Sequence, residues 1–347
     1  MKTVMKKTRA ALCALVCACA WTAEAKALKV LMIGNSFTES AMRETPAVAK
    51  AMGCALDLAN LCIGGCPLSK HWANVEKAGD PDFRPYAVQM SWTSCDAKAS
   101  GLRRAAPKGR ANIPQALAAE PWDIVTIQQA SGQSAFEKTY QPYADNLIAK
   151  IRELAPQAEI RIQETWSYSP YDGRLGVWKF TPDEMFVRLH AAYGALARKH
   201  GLTVIPTAVA VQNYRRDLPV RYAKVYTKAE LAAFTEPRLP DFYGDVCGQA
   251  HWGTGSSWQK DANERRLRVD GCHLNPAGEY LQGCVWTAAL FGVDVTACAY
   301  RPAGLPEDRA ALMRRAAMDA VRAQARKKWF FRGSRKKVPD NVKPFPL

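Results

Sequence analysis

Residues 28–40 read Leu-Lys-Val-Leu-Met-Ile-Gly-Asn-Ser-Phe-Thr-Glu-Ser, and the fold is decided here. Residues 28–33 form a short apolar run closed by Gly34, the pattern of a strand buried on both faces. Four more runs of this kind follow, within 55–63 and over 123–128, 159–163 and 202–205. Helical patterns lie between them at 46–52, 140–154 and 182–199, the last with Met185, Phe186, Leu189 and Tyr193 on one face. Buried strands alternating with amphipathic helices predict a three-layer α/β/α sandwich around a mainly parallel, five-stranded sheet. Ligands of such sheets bind beyond the C-terminal ends of the strands, so chemistry is expected just after each strand.

Ser36 meets that condition at the end of the first strand, where backbone N–H groups are free to face a developing oxyanion. Gly34 lets the backbone approach closely. The Gly-x-Ser-x-Gly elbow does not fit, because Phe37 and Thr38 follow the serine. Alone, Gly34-Asn35-Ser36 is equally the cap of a helix. A second signal is Val-Asp-Gly-Cys-His-Leu-Asn-Pro-Ala-Gly at 269–278. On a tight loop, the Asp270 carboxylate three residues before His273 can accept the imidazole N–H and leave the other nitrogen to take a proton from serine. Pro276 then opens a helix through Tyr280 and Trp286. His190 and His200 fall in or just after a helical pattern, as packing or capping residues do.

The formal charge is +16, from 48 basic and 32 acidic residues. Residues 1–25 carry Lys2, Lys6, Lys7 and Arg9, then twelve apolar residues at 10–21, then Ala23-Glu24-Ala25. Twelve helical residues span only about 18 Å against a bilayer core of roughly 30 Å. The expectation is therefore a cleaved export signal without a transmembrane segment, lipoprotein anchoring at Cys19 being the alternative. Of the +13 remaining after residue 25, +9 lies in 314–347. That C-terminal helix and tail (301–347) reads as a solvated helix with a loose end able to rest on acidic surfaces, and a nucleic-acid-binding function is not predicted. The remaining 26–300 read as one domain, with an insertion at about 214–268 rich in Tyr, Trp and Pro. Eight cysteines follow residue 25, an even number compatible with disulfides, and no Cys-x-x-Cys pair occurs. A zinc site from Cys62, Cys66 and His71 lacks the second paired knuckle such sites use.

Taken together, Gly34-Asn35-Ser36, Gly64-Gly65 after the second strand and Asp270-x-x-His273 before a final helix resemble the first, second and fifth blocks of the SGNH (GDSL-type) hydrolases. The stretches CIGGCPLSKHW at 62–72 and EPWDIVTIQQASGQSA at 120–135 are similar to a bacterial branch known as a domain of unknown function. The resemblance spans about 28–291 and implies the flavodoxin-like SGNH fold. It implies Ser36 as nucleophile, His273 as general base and acid, and Asp270 as the group orienting the imidazole. It further implies the N–H groups of Ser36 and Gly65 as oxyanion donors, with Gly64 the alternative. The family's third block, Gly-x-Asn-Asp, has no literal counterpart. An amide from Gln129, or alternatively Gln128, would replace its Asn, and Asn35 stands beside the serine where Asp is usual.

That resemblance implies a serine esterase working through an acyl-enzyme with no metal or organic cofactor required, and together with the export signal it leads to the expectation of an exported enzyme acting on O-acyl esters, acetyl esters of carbohydrate in particular. His251 and Trp252 are candidate substrate contacts, and Tyr243 and Trp258 are further aromatics able to stack on sugars. The alternative from another class is an SGNH-fold protein with weak or no turnover that binds extracellular glycan.

Overall fold

A computed structural model describes residues 26–94, 97–218, 226–242, 244–255 and 263–333. Its main sheet contains β1 (Leu28–Gly34), β2 (Leu56–Cys62), β3 (Tyr86–Ser91), β4 (Arg110–Ala111), β5 (Ile124–Ile127), β6 (Glu159–Gln163) and β7 (Thr203–Ile205). These lie in the order β4-β3-β2-β1-β5-β6-β7. The five expected strands are the parallel ones, and the sheet has seven because β3 and β4 add an antiparallel edge. That edge was not readable from the sequence. Most of β3 is half-buried, without clean alternation, and β4 is two residues long.

Counting only the parallel strands, the order is 2-1-3-4-5, with its reversal between β1 and β5. Connections leave in opposite directions at that point, which opens a crevice at the carboxyl ends of the two strands. Val30, Leu31, Met32 and Ile33 of β1 are fully buried, as expected for the strand at the centre of a sheet covered on both faces.

Among the described residues, the helices of seven or more residues are α1 (Ser36–Ala51), α2 (Leu68–Glu76), α3 (Ile113–Ala119), α4 (Tyr143–Leu154), α5 (Pro182–His200), α6 (Thr207–Arg216), α7 (Pro276–Phe291) and α8 (Glu307–Gly333). One layer is built from α1, α6, α7 and α8, and the other from α2, α3 and α4, with α5 joined to α4 through Lys199 and His200 on Asp145. Helix α5 has the ends its sequence implies: a Thr181/Glu184 capping box with Pro182 in the first turn, and Gly201 at φ +67° after the last. Helix α1 begins ten residues before the pattern at 46–52, because Asn35 caps it and Pro46 is carried inside it.

The C-terminal helix differs from the solvated one expected. Ala310, Met313, Ala316, Ala317 and Ala320 of α8 are buried, and the helix packs on α6 and α7. Arg314 is buried as well, donating to the Tyr280 hydroxyl and paired with Glu307. Small side chains let α8 dock closely, so part of the basic segment belongs to the core. Residues 334–347 lie outside the described residues, as do 1–25 with Cys19. No helix among the described residues is long and apolar enough to cross a membrane.

Within the stretch read as an insertion, β8 (Cys247–Gly253) and β9 (Arg266–Leu274) form a separate antiparallel hairpin whose second strand leads into α7. The seven described cysteines after residue 25 are free thiols, so disulfides do not frame this part of the chain. A buried core of aliphatic and aromatic side chains does so instead, including Trp122, Trp166 and Trp286.

Candidate active site

Three segments converge at the carboxyl end of β1. Ser36 is the first residue of α1, and its neighbour Asn35 turns the chain from strand to helix. The Asn35 side-chain oxygen accepts from Phe37 N–H at 3.0 Å, a cap that stabilises such a helix start by about 1 kcal/mol. Gly34 is required for this tight turn, since a Cβ there would lie 2.5 Å from the Thr38 side chain, whose hydroxyl donates to Asn35 O at 2.7 Å.

Asp270 and His273 arrive from β9, on a strand and not on the tight loop expected. In a flat strand, residues three apart point to opposite faces. Here the register slips: Cys247 pairs with Leu274 but Gln249 with Asp270, so extra residues bulge from β9. Asp270 holds the bulge closed, its Oδ1 accepting from Cys272 N–H at 2.8 Å and His273 N–H at 3.0 Å. Gly271 lies within it against the 169–172 loop: its carbonyl accepts from Ser169 N–H at 2.8 Å, and a Cβ would fall 2.7 Å from Asp172 N.

The geometry links the three side chains in series. His273 Nδ1 lies 2.6 Å from Asp270 Oδ2, and His273 Nε2 lies 2.8 Å from Ser36 Oγ. A carboxylate can only accept, so Nδ1 carries the proton and Nε2 is left to accept from the Ser36 hydroxyl. Burial alone would raise the Asp270 pKa, but the His273 ring and two backbone N–H groups outweigh it and hold the carboxyl well below its ordinary range. Burial disfavours the charged imidazole, and the contacts with Asp270 and Cys272 together more than reverse this, so the His273 pKa lies above the ordinary value. Trp166 braces the segment that carries the ring. Its indole N–H donates to Cys272 O at 2.9 Å, and its face stacks on Phe37 at 4.2 Å, Phe37 in turn lying 5.3 Å from the imidazole.

The loop after β2 runs beside Ser36. Ile63 N–H donates to Gly34 O at 3.3 Å and Asn35 Nδ2 to Cys66 O at 3.1 Å, which fixes Gly64 and Gly65 next to the serine. Gly65 has φ +62°, the left-handed region where glycine is favoured.

The expectation for Gln129 is corrected. Its Oε1 accepts from Leu68 N–H and Ala130 N–H, at 2.9 and 2.8 Å, and its Nε2 donates to Thr139 O and Oγ1. That amide binds loops together. Gln128 points the other way, as alternation after a strand requires, and its Nε2 donates to Asn35 Oδ1 at 2.6 Å. The buried Gln128 is therefore the amide joined to the Ser36 turn.

His251 and Trp252 lie farther along the hairpin, paired with Arg268 and Leu267. His251 is exposed, while Trp252 donates to Arg238 O at 3.0 Å, a contact that packs the segment. Neither is among the hydrogen-bond partners of the three converging side chains. Tyr243 and Trp258 lie outside the described residues. His71, weighed for zinc with Cys62 and Cys66, is buried against the Tyr86 hydroxyl at 2.9 Å, and burial lowers its pKa to about 3. His190 and His200 pair with Glu164 and Asp145, each at 2.6 Å. Sequence reasoning missed Trp166 and Cys272. The one signal available was that Cys272 adjoins His273.

A family model described as Domain of unknown function (DUF4886) matches residues 29–221. Among solved structures, a DUF4886 family protein from Bacteroides uniformis ATCC 8492 is 24% identical, with a TM-score of 0.62 over 85% of this chain and 95% of that one. A protein from Slackia heliotrinireducens, proposed to be an SGNH hydrolase, is 20% identical with a TM-score of 0.42, over 76% and 99% of the two chains. No curated protein matches the chain.

Proposed function

Because the chain belongs to the DUF4886 family and brings Ser36, His273 and Asp270 into one hydrogen-bonded series, we propose that it is a serine esterase of SGNH type. The observation that carries this reading is the Ser36–His273 contact of 2.8 Å between segments 237 residues apart, at the switch point of the sheet. His273 Nε2 takes the hydroxyl proton as Ser36 Oγ attacks an ester carbonyl carbon. The tetrahedral oxyanion faces the N–H groups of Ser36 and Gly65, with the second amide hydrogen of Gln128 as third donor. Collapse breaks the bond to the alkoxide, which leaves with the proton from His273. Water, deprotonated by the same nitrogen, then attacks the acyl-serine and releases the carboxylate.

The proposed substrate is an O-acyl ester, acetyl in the first instance, displayed on carbohydrate. Support comes from the openness of the site: the side chains of His273 and Asp270 are 36% and 27% exposed, which suits a small acyl group on a bulky alcohol. Export is part of the same proposal, resting on the basic, apolar and small-residue order of residues 1–25. The test is hydrolysis of a chromogenic acetyl ester and of acetylated oligosaccharides by wild type and Ser36→Ala. Turnover by wild type alone supports the reading; equal rates above background remove Ser36 from it. Glycan binding with no turnover in either protein would favour the binding-only alternative.

A further inference from the structure

One side chain at the site has no part in the esterase reaction. Cys272 Sγ lies 3.4 Å from His273 Nδ1, on the side of the ring that faces Asp270. Ligand atoms of Asp270, Cys272 and His273 all lie within 4.8 Å of one another, the only such group of three His, Cys, Asp or Glu side chains among the described residues. We propose that these three side chains form an inhibitory site for a thiophilic divalent cation, Zn²⁺ being the best fit.

The donor set and its spacing support this. One thiolate, one imidazole and one carboxylate are standard zinc ligands. A tetrahedral zinc with bonds of about 2.0 Å to nitrogen and 2.3 Å to sulfur holds those two atoms roughly 3.5 Å apart, close to the separation already present. The Asp270 carboxylate, now 2.6 Å from Nδ1, must swing outward by about 0.7 Å to take its place on the ion. The His273 and Asp270 side chains are partly exposed beside the buried Cys272 thiol, which gives a cation a way in from their side with water as fourth ligand.

Occupancy at Nδ1 is incompatible with the proposed reaction. The metal replaces the proton on Nδ1, and the neutral ring keeps that proton on Nε2. Cys272 releases its thiol proton to solvent, so the ion's two charges are balanced by thiolate and carboxylate. Nε2–H then donates toward Ser36 Oγ and cannot accept from it, and Asp270 no longer orients the ring. The cation thus switches off the base by reversing its tautomer, without touching the serine.

Metal binding itself is independent of the esterase reading; only the inhibition rests on it. The experiment therefore has two readouts on the full-length protein. Co²⁺, used as a spectroscopic substitute, is expected to give sulfur-to-cobalt charge-transfer absorption in wild type and to lose it in Cys272→Ser and Cys272→Ala. Equilibrium dialysis is expected to show Zn²⁺ affinity at least about tenfold weaker in either variant, as loss of a ligand should cost no less than loss of an outer-shell partner. In the acetyl-ester assay, Zn²⁺ should inhibit wild type with a chelator restoring the rate, and inhibit the Cys272 variants only at correspondingly higher concentration. Charge-transfer absorption unchanged by either substitution, or equal Zn²⁺ affinity in all three proteins, overturns the site. Cys272-dependent metal binding in a protein without esterase activity would retain the site and remove its proposed inhibition.

Discussion

The Gln128 side-chain nitrogen donates to Asn35 Oδ1 across 2.6 Å, joining the end of β5 to the turn that presents Ser36. The same Asn35 side chain reaches Cys66 O in the loop that carries Gly65, so one amide pair holds together the three places from which oxyanion donors are proposed to come. Gln128→Ala is expected to lower kcat by about 100-fold or more with little change in KM, the usual cost of an oxyanion donor. Gln128→Glu, which keeps the length and loses the N–H, should behave alike. A rate within a few-fold of wild type for both would remove Gln128 from the reaction.

Gln129 gives the opposite forecast. Its amide satisfies two backbone N–H groups and two acceptors, so Gln129→Ala should lower folding stability by about 1–3 kcal/mol through buried groups left unpaired. The rate per folded molecule should hardly change. Denaturant melts beside steady-state kinetics at low temperature separate the two residues; a large kcat loss without destabilisation in Gln129→Ala would reverse their roles.

The acidic limb of the pH–rate profile reports the Asp270–His273 pair. The base works only when neutral, and its pKa is raised, so kcat/KM should climb with pH through a value above the ordinary imidazole range. Asp270→Asn should lower the rate by about 10,000-fold and move the limb downward, since the partner stabilising the charged ring is gone. The same shifts govern stability. His273, with its folded pKa raised, contributes fully below about 6.5 and loses that contribution as pH rises through the folded value. Asp270, with its pKa depressed, contributes above about 3.9 and loses it as pH falls through its folded value. The pair should therefore stabilise the fold most between those limits, and Asp270→Asn should flatten that maximum in thermal melts taken across pH. An unchanged limb in Asp270→Asn would contradict the geometry.

Gly271 is expected to tolerate no side chain. In Gly271→Ala the new Cβ must push against Asp172 N, shifting the bulge that aims His273. A displacement of about 1 Å costs on the order of 100-fold in rate. Kinetics on the folded variant, with circular dichroism to verify the fold, would show whether the bulge is needed; a wild-type rate would show that it is not.

The parallel half of the sheet was legible because strands covered on both faces read as mostly apolar runs, as 28–33 does apart from Lys29. The edge was not, since β3 is half covered without clean alternation and β4 is two residues long. Asp270 and His273 were legible as a pair by spacing, but their support was read as a loop. The bulge that turns them to one side depends on pairing with β8, which sequence order does not reveal. Gln128 and Gln129 were separated only by which face of the strand end each occupies, and a single position of register decides that. Trp166 could not be assigned by pattern, because its contact with the Cys272 carbonyl joins elements 106 residues apart, whereas Cys272 adjoins His273 and only the local fold turns its sulfur toward the ring.

The most direct measurement is intact-mass and peptide mapping after treatment with a serine-directed fluorophosphonate. A single adduct on Ser36 is expected in wild type, absent in Ser36→Ala and strongly slowed in His273→Ala. Labelling at another residue, or adduct formation that is equally fast without His273, would contradict the proposed proton relay.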